Sequence, residues 1–210
     1  MTVKIKVIYN PNTKKFVMWF HLEPKGKGYT GALSGIATAN KITGPYTFIR
    51  STCTTPGCYP VNVLDLHKCP VKQSTIDKKL YGGGLNGEHP DTLNILGRDF
   101  KEGQMARDMQ LFVDDNGKAY HIYSSEDNLT LQIAELSDDY LSHTGKYIRI
   151  FPGGHNEAPA IFKKDGIYWM ITSGCTGWEP NKARLLTATS ILGEWKQLPN
   201  PCVGENADKT

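Results

Sequence analysis

Asp108–Ile148 reads DMQLFVDDNGKAYHIYSSEDNLTLQIAELSDDYLSHTGKYI, and this stretch decides the fold. An apolar run, Gln110–Val113, meets the turn Asp114-Asp115-Asn116-Gly117, and the aromatic run Ala119-Tyr120-His121-Ile122-Tyr123 follows. β-Branched and aromatic residues in runs of this length favour strands. Asn-Gly or Asp-Gly between two such runs is the strongest short-range hairpin signal. A longer connection, a strand ending in small polar residues and a short last strand complete the unit. The pattern predicts a four-stranded antiparallel meander.

Working outward, the same order recurs on both sides. In Lys6–Phe48 the turn Asn10-Pro11-Asn12-Thr13 precedes Phe16-Val17-Met18-Trp19-Phe20. In Ala158–Leu198 the turn Lys163-Lys164-Asp165-Gly166 precedes Ile167-Tyr168-Trp169-Met170-Ile171. No helix is expected beyond a single turn near Asp138–Leu141. Gly117 and Gly166 stand roughly fifty residues apart, the length of a four-stranded propeller blade with its loops. The chain is therefore read as all-β, a single partial β-propeller domain over 1–210. Its blade-like units cover about 6–48, 108–148 and 158–198. A ring needs roughly four blades to close, so a fragment of a longer propeller is expected. The segment Ser51–Met105, rich in Gly, Pro, Cys and Lys, interrupts the repeat. It reads either as a long surface loop or as a rim of a substrate pocket.

The 210 residues are enough to bury a sizeable core, and their net charge of +3 is spread without a basic block. Nucleic acid and anionic membranes are therefore poor partners to expect. No run approaches the ~20 apolar residues of a membrane span. MTVKIKVIYN reads as a strand rather than a signal peptide, so any exporting segment lies outside this chain. The five cysteines, Cys53, Cys58, Cys69, Cys175 and Cys202, form no CxxC pair, which argues against zinc. Cys53, Cys58 and Cys69 could hold one local bridge or three free thiols.

The repeat sets two carboxylates in nearly equivalent places. Asp108 and Glu157 each stand just before an apolar strand, where a charge is costly unless it lines a polar cavity. Asp108 could instead close a turn or pair with Arg107, and Glu157 could be a surface residue. The first strand of each propeller blade lines the central channel, so both carboxylates would face it from adjacent blades. Burial and a second carboxylate nearby favour the neutral form of such a group, which can then donate a proton. Tyr29, Trp19, Trp169 and Trp178 are the aromatic residues placed near the channel ends, where sugar rings could stack. Trp178, in an irregular Gly-containing connection, is the best candidate; Trp169 and Trp195 read as structural. His121 and His155 could ligate a metal, but two isolated histidines are more commonly ordinary hydrogen-bonding residues. No cofactor is expected, and no metal site is supported; calcium in the channel is left open.

With these residues in place the chain resembles glycoside hydrolase family 43, the five-bladed β-propeller glycosidases, and within it the exo-β-1,3-galactanase-like branch. The resemblance rests on an ordered set of motifs: Lys6-Val7-Ile8-Tyr9-Asn10, Tyr29…Ala32…Gly35-Ile36-Ala37, Arg107-Asp108-Met109…Leu111-Phe112, Tyr123-Ser124-Ser125-Glu126, Glu157-Ala158-Pro159-Ala160 and Ile171–Trp178. It covers nearly everything outside Ser51–Met105 and implies that about three of five blades are present. It also implies an inverting acid/base mechanism, with Glu157 as general acid and Asp108 as the group that raises its pKa and orients it. Tyr29, Arg107, Asn128, Thr176 and Trp178 would bind substrate. Two departures matter. Family members keep the catalytic base in a first blade, or in this branch as a Gln in a Ser-Gln-Ser-Thr stretch, and neither is found here. The branch also carries a Glu just before its counterpart of Lys6-Val7, where this chain has Met1-Thr2-Val3-Lys4-Ile5.

The expected function is hydrolysis of β-linked bonds in a plant-type polysaccharide or oligosaccharide, galactan-like or in arabinan or xylan side chains. The chain alone is expected to be inactive or nearly so. The alternative is a carbohydrate-binding propeller without catalysis; a protein-interaction propeller ranks last because the carboxylates recur in register. Polymer-degrading members of the family usually act outside the cytoplasm, so the full-length protein is expected to be secreted, periplasmic or at the cell surface.

Overall fold

The computed structural model describes residues 4–68, 95–177 and 179–209. Its strands form three four-stranded antiparallel sheets, each a meander in chain order. The first sheet holds β1 (Ile5–Asn10), β2 (Lys15–Leu22), β3 (Leu33–Ala39) and β4 (Thr47–Thr52). The second holds β5 (Met109–Val113), β6 (Ala119–Ser125), β7 (Thr130–Leu136) and β8 (His143–Ile150). The third holds β9 (Asn156–Lys164), β10 (Ile167–Gly174), β11 (Arg184–Ala188) and β12 (Lys196–Leu198). The hairpin signals are met: β9 pairs with β10 across Asp165-Gly166, with φ of 52° and 77° at those residues. This is the left-handed pair that a two-residue hairpin demands. Two short helical turns, Asp65–Lys68 and Ile95–Arg98, depart from the expectation of no helix. Both lie in the intervening segment, where weak periodicity left no signal. No helix among the described residues is long and apolar enough to cross a membrane.

Two apolar layers join the sheets. Val17, Trp19 and Ile36 of the first sheet pack on Met109, Leu111, Tyr123 and Tyr147 of the second. Ile122, Ile133 and Ile148 of the second pack with Ile161, Met170 and Leu186 of the third. Because side chains alternate along a strand, each outer sheet commits one face to a core layer and the second sheet commits both. That alternation corrects two tryptophan placements. Trp19 is not at a channel end: it shares the Val17 face, is fully buried, and its Nε1–H donates to Tyr140 O at 2.9 Å. Trp169 is half-buried on the face opposite Tyr168 and Met170, which fill the core in its place. Trp195 is structural, as expected, buried with its Nε1–H on Ile191 O at 3.0 Å.

The described part of the intervening segment is not a free loop, and it lines a cavity beside the second sheet, with Cys53, Thr55 and Cys58, rather than the one that holds Asp108 and Glu157. Thr54 pairs with Gln104 across an isolated bridge, and both side chains are buried. Val61 N–H donates to Tyr147 O at 2.8 Å, and Asn62 bonds both ways with the Arg149 backbone. The segment thus packs against the second sheet and satisfies its edge strand, β8. Cys53, Cys58 and Cys175 are free thiols; Cys69 lies outside the described residues.

Candidate active site

Asp108 immediately precedes β5 and Glu157 is the second residue of β9. The two positions are close equivalents, but a kink separates them in kind. Pairing of β9 with β10 shifts between Ile171 and Ser173, and Ala158 has φ +49°. A non-glycine residue there is strained, and the strain turns the Ala158 N–H toward the neighbouring sheet. It donates to Asp108 Oδ2 at 3.0 Å. A backbone bond therefore ties the acidic residue of one sheet to the strand that carries the other. Asp108 also pairs with the Lys4 ammonium. Arg107, the alternative partner, lies instead beside Asp127 and donates to Tyr29 O.

Both carboxylates line one cavity of about 420 Å³, with Lys4, His21, Tyr29, Arg107, Asn128 and Gly177 completing the wall. Burial pushes the Glu157 carboxyl above its usual range, and the Asp108 charge adds to this. A hydrogen bond with Cys175 and the charges of Lys4 and Arg107 oppose the rise. The Cys175 thiol is itself pushed up to about 12, first by burial and then by Glu157. Cys175 is therefore a neutral S–H donor beside the carboxylate, and it also reaches Asn128 O at 3.5 Å.

Asn128 donates from Nδ2 to Glu157 Oε1 at 2.8 Å. It is aimed by an unusual turn: Glu126, Asp127 and Asn128 have φ of 52°, 58° and 69° in succession. Asp and Asn tolerate this region, Glu much less. Glu126 is held there by a buried pair with Arg149, at 2.7 Å and 2.6 Å, and by Thr130 and Gln132. Asp127, the middle residue, takes Arg98 Nη1 at 2.8 Å and lies 3.7 Å from Arg107. Arg107 in turn donates to Tyr29 O at 2.9 Å. Two buried polar atoms of this wall, Asn128 Oδ1 and Arg107 Nε, have no partner among the described residues. Orphaned buried polar atoms are rare and mark places where a ligand or water completes the bonding.

The other expected residues divide. Tyr29 stands 62% exposed at the cavity, a free aromatic face. Thr176 borders the adjoining cavity instead, and its hydroxyl is engaged within its own loop by Glu179 O and Asn181. Trp178 lies outside the described residues. His121 is fully buried among Trp19, Tyr123 and His143, and burial holds it well below its usual pKa. His155 N–H donates to Leu129 O at 3.2 Å, and His155 O accepts from Arg184. No group of three or more His, Cys, Asp or Glu able to hold a metal occurs among the described residues. Sequence reading missed Lys4, His21 and Cys175. His21-Leu22-Glu23 carried the one available signal, since two polar residues at strand spacing at the end of an apolar strand share a face.

Antiparallel four-stranded sheets stacked face to face, with two carboxylates and an exposed tyrosine in one cavity beside their edge strands, are the arrangement of the β-propeller glycosidases as a class. The chain belongs to glycosyl hydrolases family 43, whose family model matches residues 85–209. It is similar to the family 43 β-1,3-galactosidase BT3683, solved with galactodeoxynojirimycin, at 63% identity over 98% of this chain and 59% of that one, with a TM-score of 0.85. An exo-β-1,3-galactanase from Clostridium thermocellum shares 31% identity over 95% of this chain and 35% of its own, with a TM-score of 0.69. Among curated proteins, the β-D-galactofuranosidase xynD of Aspergillus niger is 31% identical over 106 residues, 50% of this chain and 30% of its own. The chain thus spans about three fifths or less of the length of these relatives.

Proposed function

We propose that this chain carries the acid half of an inverting glycosidase site for β-linked galactosides, on three blades of a five-bladed propeller. The observation that carries the reading is Glu157: half-buried, raised in pKa by burial and by Asp108, and set in a cavity with unpaired polar atoms. Glu157 protonates the leaving oxygen. Burial first and the Asp108 charge second strengthen its hold on that proton, and Asp108, through Ala158 N–H, fixes the strand that presents it. Tyr29, Arg107 and Asn128 hold the sugar. The galactan-directed names of the similar structures support the choice of sugar, and action outside the cytoplasm suits such a polymer. Asp108 and Glu157 are the two carboxylates among the described residues of the cavity, so the group that activates water is placed elsewhere in the whole protein.

The test is Glu157→Gln in the protein extended to the length of its relatives. Turnover of β-1,3-galactan oligomers should fall about 100- to 10,000-fold, the usual contribution of a general acid, with sugar binding retained; unchanged turnover refutes the role. The 210-residue chain by itself should hydrolyse an aryl β-galactoside barely or not at all. A carbohydrate-binding propeller without catalysis is the second reading, favoured by the Lys4 ammonium on Asp108. It expects binding and no product even from the extended protein.

A further inference from the structure

We propose that Glu23 sets the sugar-binding geometry of this cavity by holding two of its walls at once, the imidazole of His21 and the loop that carries Tyr29. The proposal rests on the carbohydrate reading of the cavity. Glu23 follows the end of β2, and its side chain is only 2% exposed. A buried carboxylate is costly unless it is paired and fully hydrogen-bonded, and this one is. Oε1 lies 2.7 Å from His21 Nε2. Oε2 accepts from Gly31 N–H at 2.8 Å and from Ala32 N–H at 3.0 Å. A Cβ at Gly31 would lie 2.3 Å from Pro24 Cδ and 2.9 Å from Glu23 Oε2, so only glycine lets the carboxylate reach the backbone.

Each bond has a consequence at the cavity. A carboxylate oxygen accepts from the ring, so His21 Nε2 carries the hydrogen, and in the neutral imidazole Nδ1 is the ring's acceptor. His21 borders the cavity that holds Asp108 and Glu157. Its Nδ1 is thus an acceptor for a sugar hydroxyl, opposite in sense to the donors Arg107 and Lys4. The second carboxylate oxygen closes the 24–30 loop at its base. Gly26 and Gly28 have positive φ and open space around them, so the loop has little packing of its own. Tyr29 borders both the main cavity and a smaller one of about 290 Å³ formed by the loop itself. Fixing the loop fixes that partition. Glu23 is therefore a positioning residue, and His21 and Tyr29 are the groups through which it acts.

The experiment is calorimetric titration of the chain with β-1,3-galactobiose, together with the ring ¹⁵N shifts of His21. Addition of the disaccharide should move the His21 Nδ1 resonance in the direction of an accepted hydrogen bond. His21→Phe should weaken binding about three- to tenfold, the worth of one hydrogen bond. Glu23→Gln should weaken it further, and Tyr29→Ala should add less in that background than in the wild type. Should Glu23→Gln fail to fold, Gly31→Ala displaces the same carboxylate and should reproduce its effect. An unmoved Nδ1 resonance, wild-type binding by His21→Phe, or effects of Glu23→Gln and Tyr29→Ala that simply multiply would each overturn the proposal. Absence of galactobiose binding by the wild-type chain overturns it too, while leaving the acid role of Glu157 to the hydrolysis test in the extended protein.

Discussion

At the scale of single residues, the site is a balance of charges around one carboxyl. Asp108 raises Glu157, while Lys4, Arg107 and the Cys175 thiol lower it, and burial outweighs them all. The sign of each change follows. Asp108→Asn removes a negative neighbour and should lower the Glu157 pKa. Lys4→Met removes a positive one and should raise it. Carbon-13 titration of the Glu157 carboxyl reads both shifts on the chain itself, and equal values in the two variants would contradict the balance. A general acid works while protonated, so in the extended protein activity should be lost as pH rises through this pKa, at lower pH in Asp108→Asn and higher in Lys4→Met. Asp108 and Glu157 were legible in the sequence because the repeat puts them in register. Lys4 was not, because nothing local links it to a residue 104 positions away. Cys175 was visible only as a cysteine; its bond to Glu157 exists because the β9–β10 hairpin brings the two together.

At the scale of elements, the four-residue connection between β6 and β7 does most of the positioning. Three successive left-handed residues send Asp127 toward Arg98 and Arg107 and Asn128 toward Glu157. The turn depends on the buried Glu126–Arg149 pair, whose side chains are 0% and 3% exposed. Arg149→Met leaves the Glu126 charge buried without its partner. It should cost about 3–5 kcal/mol by urea denaturation, the usual penalty for breaking a buried pair, and a loss below 1 kcal/mol would show that water replaces the guanidinium. Sequence reading picked out Tyr123-Ser124-Ser125-Glu126 as a motif but could not give Glu126 a role, since its partner sits on β8. The intervening segment was equally opaque. Its Thr54, Asn62, Arg98 and Gln104 matter through contacts with the second sheet and its β6–β7 connection, and such contacts leave no periodic trace.

At the scale of the whole molecule, stability resides in the two apolar layers between sheets. Ile36→Ala falls in one and Met170→Ala in the other. Each should cost about 2–5 kcal/mol as a large-to-small core change. Because they lie in separate layers, the double variant should equal the sum within about 0.5 kcal/mol; a large departure would show that the two layers are coupled through the second sheet. The sequence by itself determined the strands, the hairpins and the threefold meander, because alternation and turn chemistry are local properties written within a few residues. It also placed two carboxylates at matching points of that repeat, and its ordered motifs pointed to family 43. Only the tertiary structure decided which face of each strand is core, and so which tryptophan is buried. It alone brought Lys4, His21, Glu23 and Cys175 into or behind the cavity, because bonds between sheets depend on how the sheets stack and not on any pattern along the chain.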